Sequence, residues 1–465
     1  MRRSARTELR RLLLFGALAG LPQPAAAQAV LNSVRDLTKD ADAVKEAVAA
    51  RGRPDYDADG LPLGDLIAFA LQSERTRGPR EPQPLRPGDT AFRTADFGLD
   101  DLNSFTLFPR VELSTSYDDN VFRTPGGRQG DVFHVASPQL ELKSDWVRHQ
   151  VDVLVDGQFG RYADFDSEDF DDASFVITPR LDVDDNTTIT LKGSFARGHV
   201  GRDVSEAALE AGEPGVFYRH LGSAVLNYQA DAYLLQVRYN YDRLDYRDVD
   251  GFDRDDQDYA GHFIFLRQGW EFFPGTVAWV EPAYVSIEFD DSFSAFGQDR
   301  DARGYQVLAG VTYNASDVAF AEIGVGYLER EFDDPVIERY SGFAAQGRVV
   351  WNVTDLISLE AIGSRRLSLD RIAIDAWRRV HEIEVKAAWD PLENLIFEIG
   401  ASYEDAEYLA QERDEQSYVL RASARYLFNS NMYMRAAVSR FDQRSSQEVE
   451  AYDFHLFTLA LGFRL

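Results

Sequence analysis

From Phe105 to Leu465 the hydropathy alternates with period two, in many short segments rather than one run. This is the feature that most narrows what the chain can fold into, because only a strand sends successive side chains to opposite faces. Val151, Val153, Val155 and Phe159 fall on one face, and Asp152, Asp156 and Gln158 on the other. Phe175, Ile177, Leu181 and Val183 oppose Thr178, Arg180 and Asp182. Leu235, Val237, Tyr239 and Tyr241 oppose Gln236, Arg238 and Asn240, and Phe457, Leu459, Leu461, Phe463 and Leu465 share one face. The alternation predicts eighteen strands, at 105–117, 131–144, 148–163, 173–184, 187–197, 216–228, 232–246, 258–272 and 276–290, then 303–314, 318–332, 340–353, 356–369, 377–389, 394–408, 416–428, 432–443 and 453–465.

The connections alternate as well. Short ones follow the even strands: Asp185-Asn186, Ala230-Asp231, Pro274-Gly275, Ala315-Ser316-Asp317, Thr354-Asp355, Asp390-Pro391 and Asn429-Ser430-Asn431. Long ones follow the odd strands, notably 118–130, 197–215, 246–257 and 290–302. The repeating unit is therefore a hairpin with one tight and one long end. An even number of such strands with short inner turns and long outer loops is the pattern of an outer-membrane barrel. Lipid satisfies no backbone donor or acceptor, so the strands must close on themselves. The fold class expected is all-β, a transmembrane antiparallel up-and-down β-barrel of about 18 strands, with a short helical N-terminal periplasmic segment. Trp146, Trp351 and Trp389 lie near the short turns, as an interfacial girdle would. A soluble propeller is the competing architecture, but no Trp-Asp signature recurs.

The start of the chain reads as an export signal. Arg2, Arg3, Arg6, Arg10 and Arg11 precede an apolar stretch, Leu12 to Leu21, that is too short to span a bilayer. Ala25-Ala26-Ala27 offers a cleavage site before Gln28. The expected division is a signal peptide at 1–27, a periplasmic helical and linker segment at 28–103, and an outer-membrane barrel at 104–465. Within the middle segment, Val30, Val34, Leu37, Ala41, Val44 and Val48 make an apolar stripe at helical spacing. That stripe suits either packing on its own protein or docking on a partner. Leu63, Leu66, Ile67 and Leu71 suggest a second short helix, and Gly78 to Gly88 is Pro-rich and extended.

Charge and chemistry narrow the function. Lys+Arg number 49 against Asp+Glu 78, a net charge of -29 that argues against a nucleic-acid partner. Cysteine is absent, which removes disulfide scaffolds, thiol catalysis and Cys-based zinc sites. His134, His149, His199, His220, His262, His381 and His455 form no H-x-x-x-H pair, and no G-x-S-x-G or phosphate-cradling loop stands in a fitting context. No catalytic residue, cofactor or metal site is expected. Acidic runs such as Asp164 to Asp172 and Asp250 to Asp258 read as hydrated loop tips, with calcium bridging to surface glycans as the sharper alternative.

The inferred inward face carries both signs. Its cations are Arg110, Lys143, Arg180, Lys192, Arg238, Arg348, Arg366, Lys386, Arg421, Arg425 and Arg435. Its anions are Glu112, Glu141, Asp152, Asp156, Asp182, Glu360, Glu384 and Glu398. Lipid-facing charge costs a few kcal/mol, so these residues belong in a lumen, and an eighteen-strand barrel is wide enough for an aqueous channel. They line a mixed-charge pore, or pair to weld it shut.

Several stretches resemble a known family. Leu107 to Arg128, with Tyr117-Asp118-Asp119-Asn120-Val121-Phe122, and the Gly160-Arg161-Tyr162-Ala163-Asp164-Phe165 element are similar to outer-membrane beta-barrel porins found with exopolysaccharide export loci in alphaproteobacteria. Arg53-Pro54-Asp55-Tyr56-Asp57 resembles that family's pre-barrel segment, although the Pro-rich linker sets it far from the first strand. The resemblance covers about residues 100–465. It implies an outer-membrane conduit for surface polysaccharide, inserted by the barrel-assembly machinery, with polysaccharide in its lumen and a periplasmic polysaccharide-export protein as partner. A general diffusion porin for small solutes and a structural or adhesive surface barrel are the alternatives. No catalytic residue carries over. Leu465 stands where the family's assembly signal would use an aromatic, and Phe457 and Phe463 are expected to serve instead.

Mass spectrometry of the chain extracted from outer membranes should find Gln28 as its first residue. A chain that keeps Arg2–Arg11 would refute the export reading.

Overall fold

The computed structural model describes residues 104–202, 212–248, 257–291, 299–315, 318–335, 337–369, 377–409 and 412–464. The expected signal peptide, the helices read from Val30 to Val48 and from Leu63 to Leu71, and the Pro-rich linker all lie outside the described residues.

Eighteen strands form the described chain. They begin with β1 (Phe105–Asp118), β2 (Asp131–Ser144), β3 (Gln150–Tyr162), β4 (Phe170–Asp182), β5 (Thr187–His199) and β6 (Val216–Ala230). They continue with β7 (Tyr233–Tyr246), β8 (Tyr259–Phe273), β9 (Thr276–Phe289), β10 (Ala302–Ala315), β11 (Ala319–Phe332) and β12 (Tyr340–Thr354). They end with β13 (Ile357–Leu369), β14 (Trp377–Leu392), β15 (Leu395–Tyr408), β16 (Asp414–Asn429), β17 (Met432–Ser445) and β18 (Tyr452–Arg464). Each pairs antiparallel with the next, and β1 pairs with β18 from Arg110↔Arg464 to Asp118↔Leu456, so the sheet closes as an up-and-down barrel. Inside the seam, the Ser116 and Thr458 hydroxyls hydrogen-bond at 2.9 Å.

The limits read from the alternation differ from these by three residues at most. One turn moves. It was expected at Asp390-Pro391, but β14 runs on to Leu392 and the chain reverses at Glu393-Asn394. A register irregularity between Trp389 and Leu392 absorbs Pro391, which has no N–H to give a ladder. The tightest reversals have two residues: Asp231-Ala232, Pro274-Gly275, Asp355-Leu356, Glu393-Asn394 and Ser430-Asn431. Gly275 has φ 74, and a Cβ there would strike the Asn314 carbonyl oxygen, so this position requires glycine.

Polarity is inverted relative to a water-soluble domain. Leu113, Val155, Phe175, Val237, Ile264, Val307, Ile323, Ile399, Leu420 and Leu459 are exposed, whereas Arg238, Asp242, Glu281, Glu322 and Arg330 are buried. An apolar surface that encircles the sheet suits lipid rather than water. Two aromatic belts bound it. Trp146, Trp270, Phe272, Trp351, Trp389 and Phe428 are exposed at the short-turn end, and Tyr117, Tyr239, Tyr327 and Phe343 toward the long-loop end. On β10 the belts are marked by Tyr305 and Tyr313. At ~3.4 Å per residue and a tilt of about 40°, they stand roughly 20 Å apart, near the apolar height of a membrane barrel.

Val325 faces outward opposite Ala309, midway between those two tyrosines. Val325→Arg should cost about 2–4 kcal/mol in urea unfolding from lipid vesicles. A loss below about 0.5 kcal/mol, typical of a water-exposed surface position, would mean that this face does not meet hydrocarbon.

Candidate functional site: the inner wall

Residues directly opposite each other in a ladder share a face, so the registers sort every strand into an inner and an outer side. Followed round the closed sheet, they put Arg110 and Glu112 of β1, Lys143 of β2, Asp152 and Asp156 of β3, Arg180 and Asp182 of β4 and Lys192 of β5 on the inner side. The same side carries Arg238 of β7, Arg348 of β12, Glu360 and Arg366 of β13, Glu384 and Lys386 of β14, Glu398 of β15, Arg421 and Arg425 of β16 and Arg435 of β17. Some of these meet each other. Arg348 binds Glu360 at 2.7 Å, Arg435 binds Glu112 at 2.7 Å, Arg180 lies 3.1 Å from Asp182 and Lys386 3.1 Å from Glu384. Lys143 lies 3.0 Å from Glu141 and stands opposite Asp152. Others pair with residues not singled out from the sequence: Arg238 with Glu281, and Arg366 with Glu382.

The densest network was not read from the sequence. Trp279 of β9 lies across the wall where Gly310 of β10 and Gly324 of β11 leave room, since a Cβ at either would strike the indole. Its Nε1–H donates to Thr312 Oγ1 at 3.0 Å. The Arg267 guanidinium of β8 stacks 4.1 Å from the indole centroid, donates to Glu281 at 2.7 Å and reaches Glu322 at 3.3 Å. Glu281 also accepts from Arg238 at 2.9 Å. Glu281 and Glu322 are 1% and 3% exposed, so their charges are held almost entirely by these partners. A smaller counterpart lies near the same end on β17 and β1. Tyr433 covers Gly462, its hydroxyl donates to Glu112, and Arg425 lies 5.4 Å from its ring.

The inner wall changes character with height. Toward the short turns, Lys143, Arg180, Lys386 and Arg421 remain between 32% and 41% exposed and so reach water. Toward the long loops, Leu244, Tyr259, Phe263, Phe265, Ile287 and Leu328 point inward yet are no more than 2% exposed. Side chains projecting into open water would be exposed, so packing narrows the lumen at that end.

The long loops join this packing. Asn120 is fully buried and its amide donates to the Thr124 and Asp453 carbonyls at 2.9 and 3.0 Å. Arg123 lies 2.8 Å from Asp118 and 3.6 Å from the Phe454 ring centroid. The rings of Phe122 and Phe165 meet edge to face at 4.9 Å, so the two sequence elements that carry the family resemblance touch. In the run Asp164 to Asp172, Asp164, Asp166, Asp169 and Asp171 are exposed, as expected of a hydrated tip, but Glu168 and Asp172 are buried. Glu168 is buried against Arg202 at 2.7 Å, and Asp172 meets His199 at 2.7 Å. Paired charges of this kind fold a loop inward instead of repelling it into water. Burial raises the Asp119 carboxyl pKa, but the His455 backbone N–H, its imidazole and Arg128 outweigh that and hold it below the usual range. Among the described residues no three metal-ligating side chains gather.

A family model described as "Putative beta-barrel porin 2" matches residues 100–465. Among solved structures, OpdO of Pseudomonas aeruginosa is similar, with TM-score 0.42 and 14% identity over 77% of this chain and 97% of that one. OpdQ of Pseudomonas aeruginosa gives TM-score 0.43 and 10% identity over 80% and 99%. The copper transporter OprC gives TM-score 0.44 and 11% identity over 77% and 80%. No curated protein matches the chain.

Arg267→Ala would strand Glu281 and Glu322 with too little positive charge. We expect it to cost about 3–5 kcal/mol of unfolding free energy. Arg180→Ala, whose partner Asp182 lies on β4 away from this network, serves as the comparison. Equal, sub-kcal losses for both would remove the network from any account of stability.

Proposed function

The chain belongs to the beta-barrel porin 2 family, and we infer that its outer-membrane barrel is a passive channel for small hydrophilic solutes. The observation that carries this is the uneven packing of the inner wall: toward the short turns Lys143, Arg180, Lys386 and Arg421 stay accessible to water beside the buried Arg267–Glu281–Glu322 network, and toward the outer loops apolar side chains pack tightly. Hydrated charge lets a polar solute shed little of its water, and a narrowed mouth sets a size limit.

A second cargo, an exported polysaccharide strand, is favoured by the resemblance of Leu107–Arg128 and Gly160–Phe165. In that case residues 28–103 would dock a periplasmic polysaccharide-export partner. The two readings separate in one pair of measurements. Proteoliposomes holding the barrel should swell in arabinose and glucose, with rates falling steeply for tri- and tetrasaccharides. A deletion strain should keep its surface polymer. Polymer stranded in the periplasm of that strain, with no swelling in any sugar, would reverse the choice.

A further inference from the structure

The β12–β13 ladder stops short of the long-loop ends of both its strands. Its outermost pair is Ala345↔Arg365, so it leaves out Tyr340–Ala344 of β12 and Arg366–Leu369 of β13. The β8–β9 and β10–β11 ladders, by contrast, pair both strands to their outer ends. Arg365 bridges the start of the gap and donates to the Phe343 carbonyl at 3.0 Å. The β13–β14 ladder stays intact to Leu369↔Trp377, so these two ends leave the wall as one hairpin. The hairpin end leans into the barrel. Its odd-numbered residues continue the lipid-facing column of Ala345, Arg365 and His381, yet Leu367, Leu369 and Trp377 are no more than 2% exposed. They pack in one cluster with Leu328 and Ala344 of the inner face. The Trp377 ring meets Phe332 edge to face at 5.4 Å and lies 5.9 Å from the Arg330 guanidinium. Arg330 and Phe332 alternate with the outward Val325 and Tyr327, and so belong to the inner side of β11.

We propose that the outer end of β13–β14 is the size-selecting gate of the pore, shut when tucked onto β11 and open when zipped onto β12. This rests on the channel reading above and adds its regulation. Each position leaves something unsatisfied, which is what makes an element bistable. Tucked, the hairpin buries Leu367, Leu369 and Trp377, but it leaves a strand edge at Tyr340–Ala344 and covers Arg330. Arg330 is 1% exposed, and among the described residues it makes no ion pair and its Nε and Nη1 have no hydrogen-bond partner. A guanidinium in that setting loses its water and gains only the indole face. Zipped, the hairpin would continue the register with Phe343 opposite Leu367. Both edges would gain ladder bonds and Arg330 would return to water, at the cost of exposing the three apolar side chains. The gap begins beside Phe343, in the outer aromatic belt, where a strand edge meets water instead of hydrocarbon. The hairpin can therefore move without opening the apolar part of the wall to lipid.

The test uses the full-length chain in planar bilayers. The chain has no cysteine, so an introduced pair meets no competing thiol. Tucked, Phe343 faces outward and Leu367 lies against the inner wall; zipped, they face each other. The variant Phe343→Cys, Leu367→Cys therefore comes within disulfide reach only in the zipped position. Val349→Cys, Ala361→Cys, opposite each other in the formed part of the same ladder, is the control. Mass spectrometry of tryptic peptides reads whether each bond forms. Oxidation of the gate pair should raise conductance about twofold or more, and reduction should reverse it, while the control pair does not respond. Trp377→Ala, with no thiol present, should shift conductance the same way. A control disulfide that forms where the gate disulfide does not overturns the gate. So does conductance indifferent to a gate disulfide that has formed, or a Trp377→Ala barrel that conducts no better than wild type. A gate disulfide that forms in a barrel conducting in neither redox state keeps the hairpin's two positions and refutes the channel.

Discussion

The ladder between β1 and β18 is the constraint on which the rest depends. In hydrocarbon a strand edge has no water to satisfy its N–H and C=O groups, and each unpaired group costs several kcal/mol. Seventeen ladders join strands adjacent in the sequence; this one joins the two ends of the barrel and removes both edges at once. Once it forms, every strand has two neighbours, inner and outer faces are separated, and polarity can be sorted between lipid and lumen. The Ser116–Thr458 hydrogen bond and the Asp119–His455 pair, at 2.9 Å, tie the same seam from within and at its outer rim.

Separation of the faces explains the inner wall. Charged side chains excluded from lipid turn inward, and those that lose water there must find one another. Where room is short the sequence provides glycine. Gly310 and Gly324 let one indole lie flat on the wall, and Gly462 does the same for Tyr433. An aromatic plate on a glycine floor, capped by a guanidinium, occurs on both sides of the barrel near the periplasmic turns.

Much of this was legible in the sequence where the two faces differ. β3, β4, β7 and β15 alternate cleanly, so the inward orientation of residues such as Asp152, Arg180 and Arg238 follows from the pattern alone. β8 is different. Its inner residues Phe263 and Phe265 are as apolar as its outer residues Ile264 and Leu266, so period two disappears and Arg267 has no visible side. Trp279 was illegible for a related reason: tryptophan near a short turn reads as a girdle residue, and only the register shows that it points inward. Pairings between strands that are not neighbours, such as Arg267 with Glu322, leave no trace in local sequence. The inward folding of the acidic loop at Glu168 was hidden because its partner Arg202 lies in another loop.

The hairpin unit has a consequence for pore size. Both ends of the barrel-forming chain lie at the tight-turn side, and an antiparallel wall keeps them there only if strands come and go two at a time. The wall can therefore change only by two strands at a time, about 12–13 Å of circumference at a tilt of about 40°. Calibre in such a protein is a discrete property, set by the number of hairpins. Everything finer must come from what the side chains and loops leave open inside.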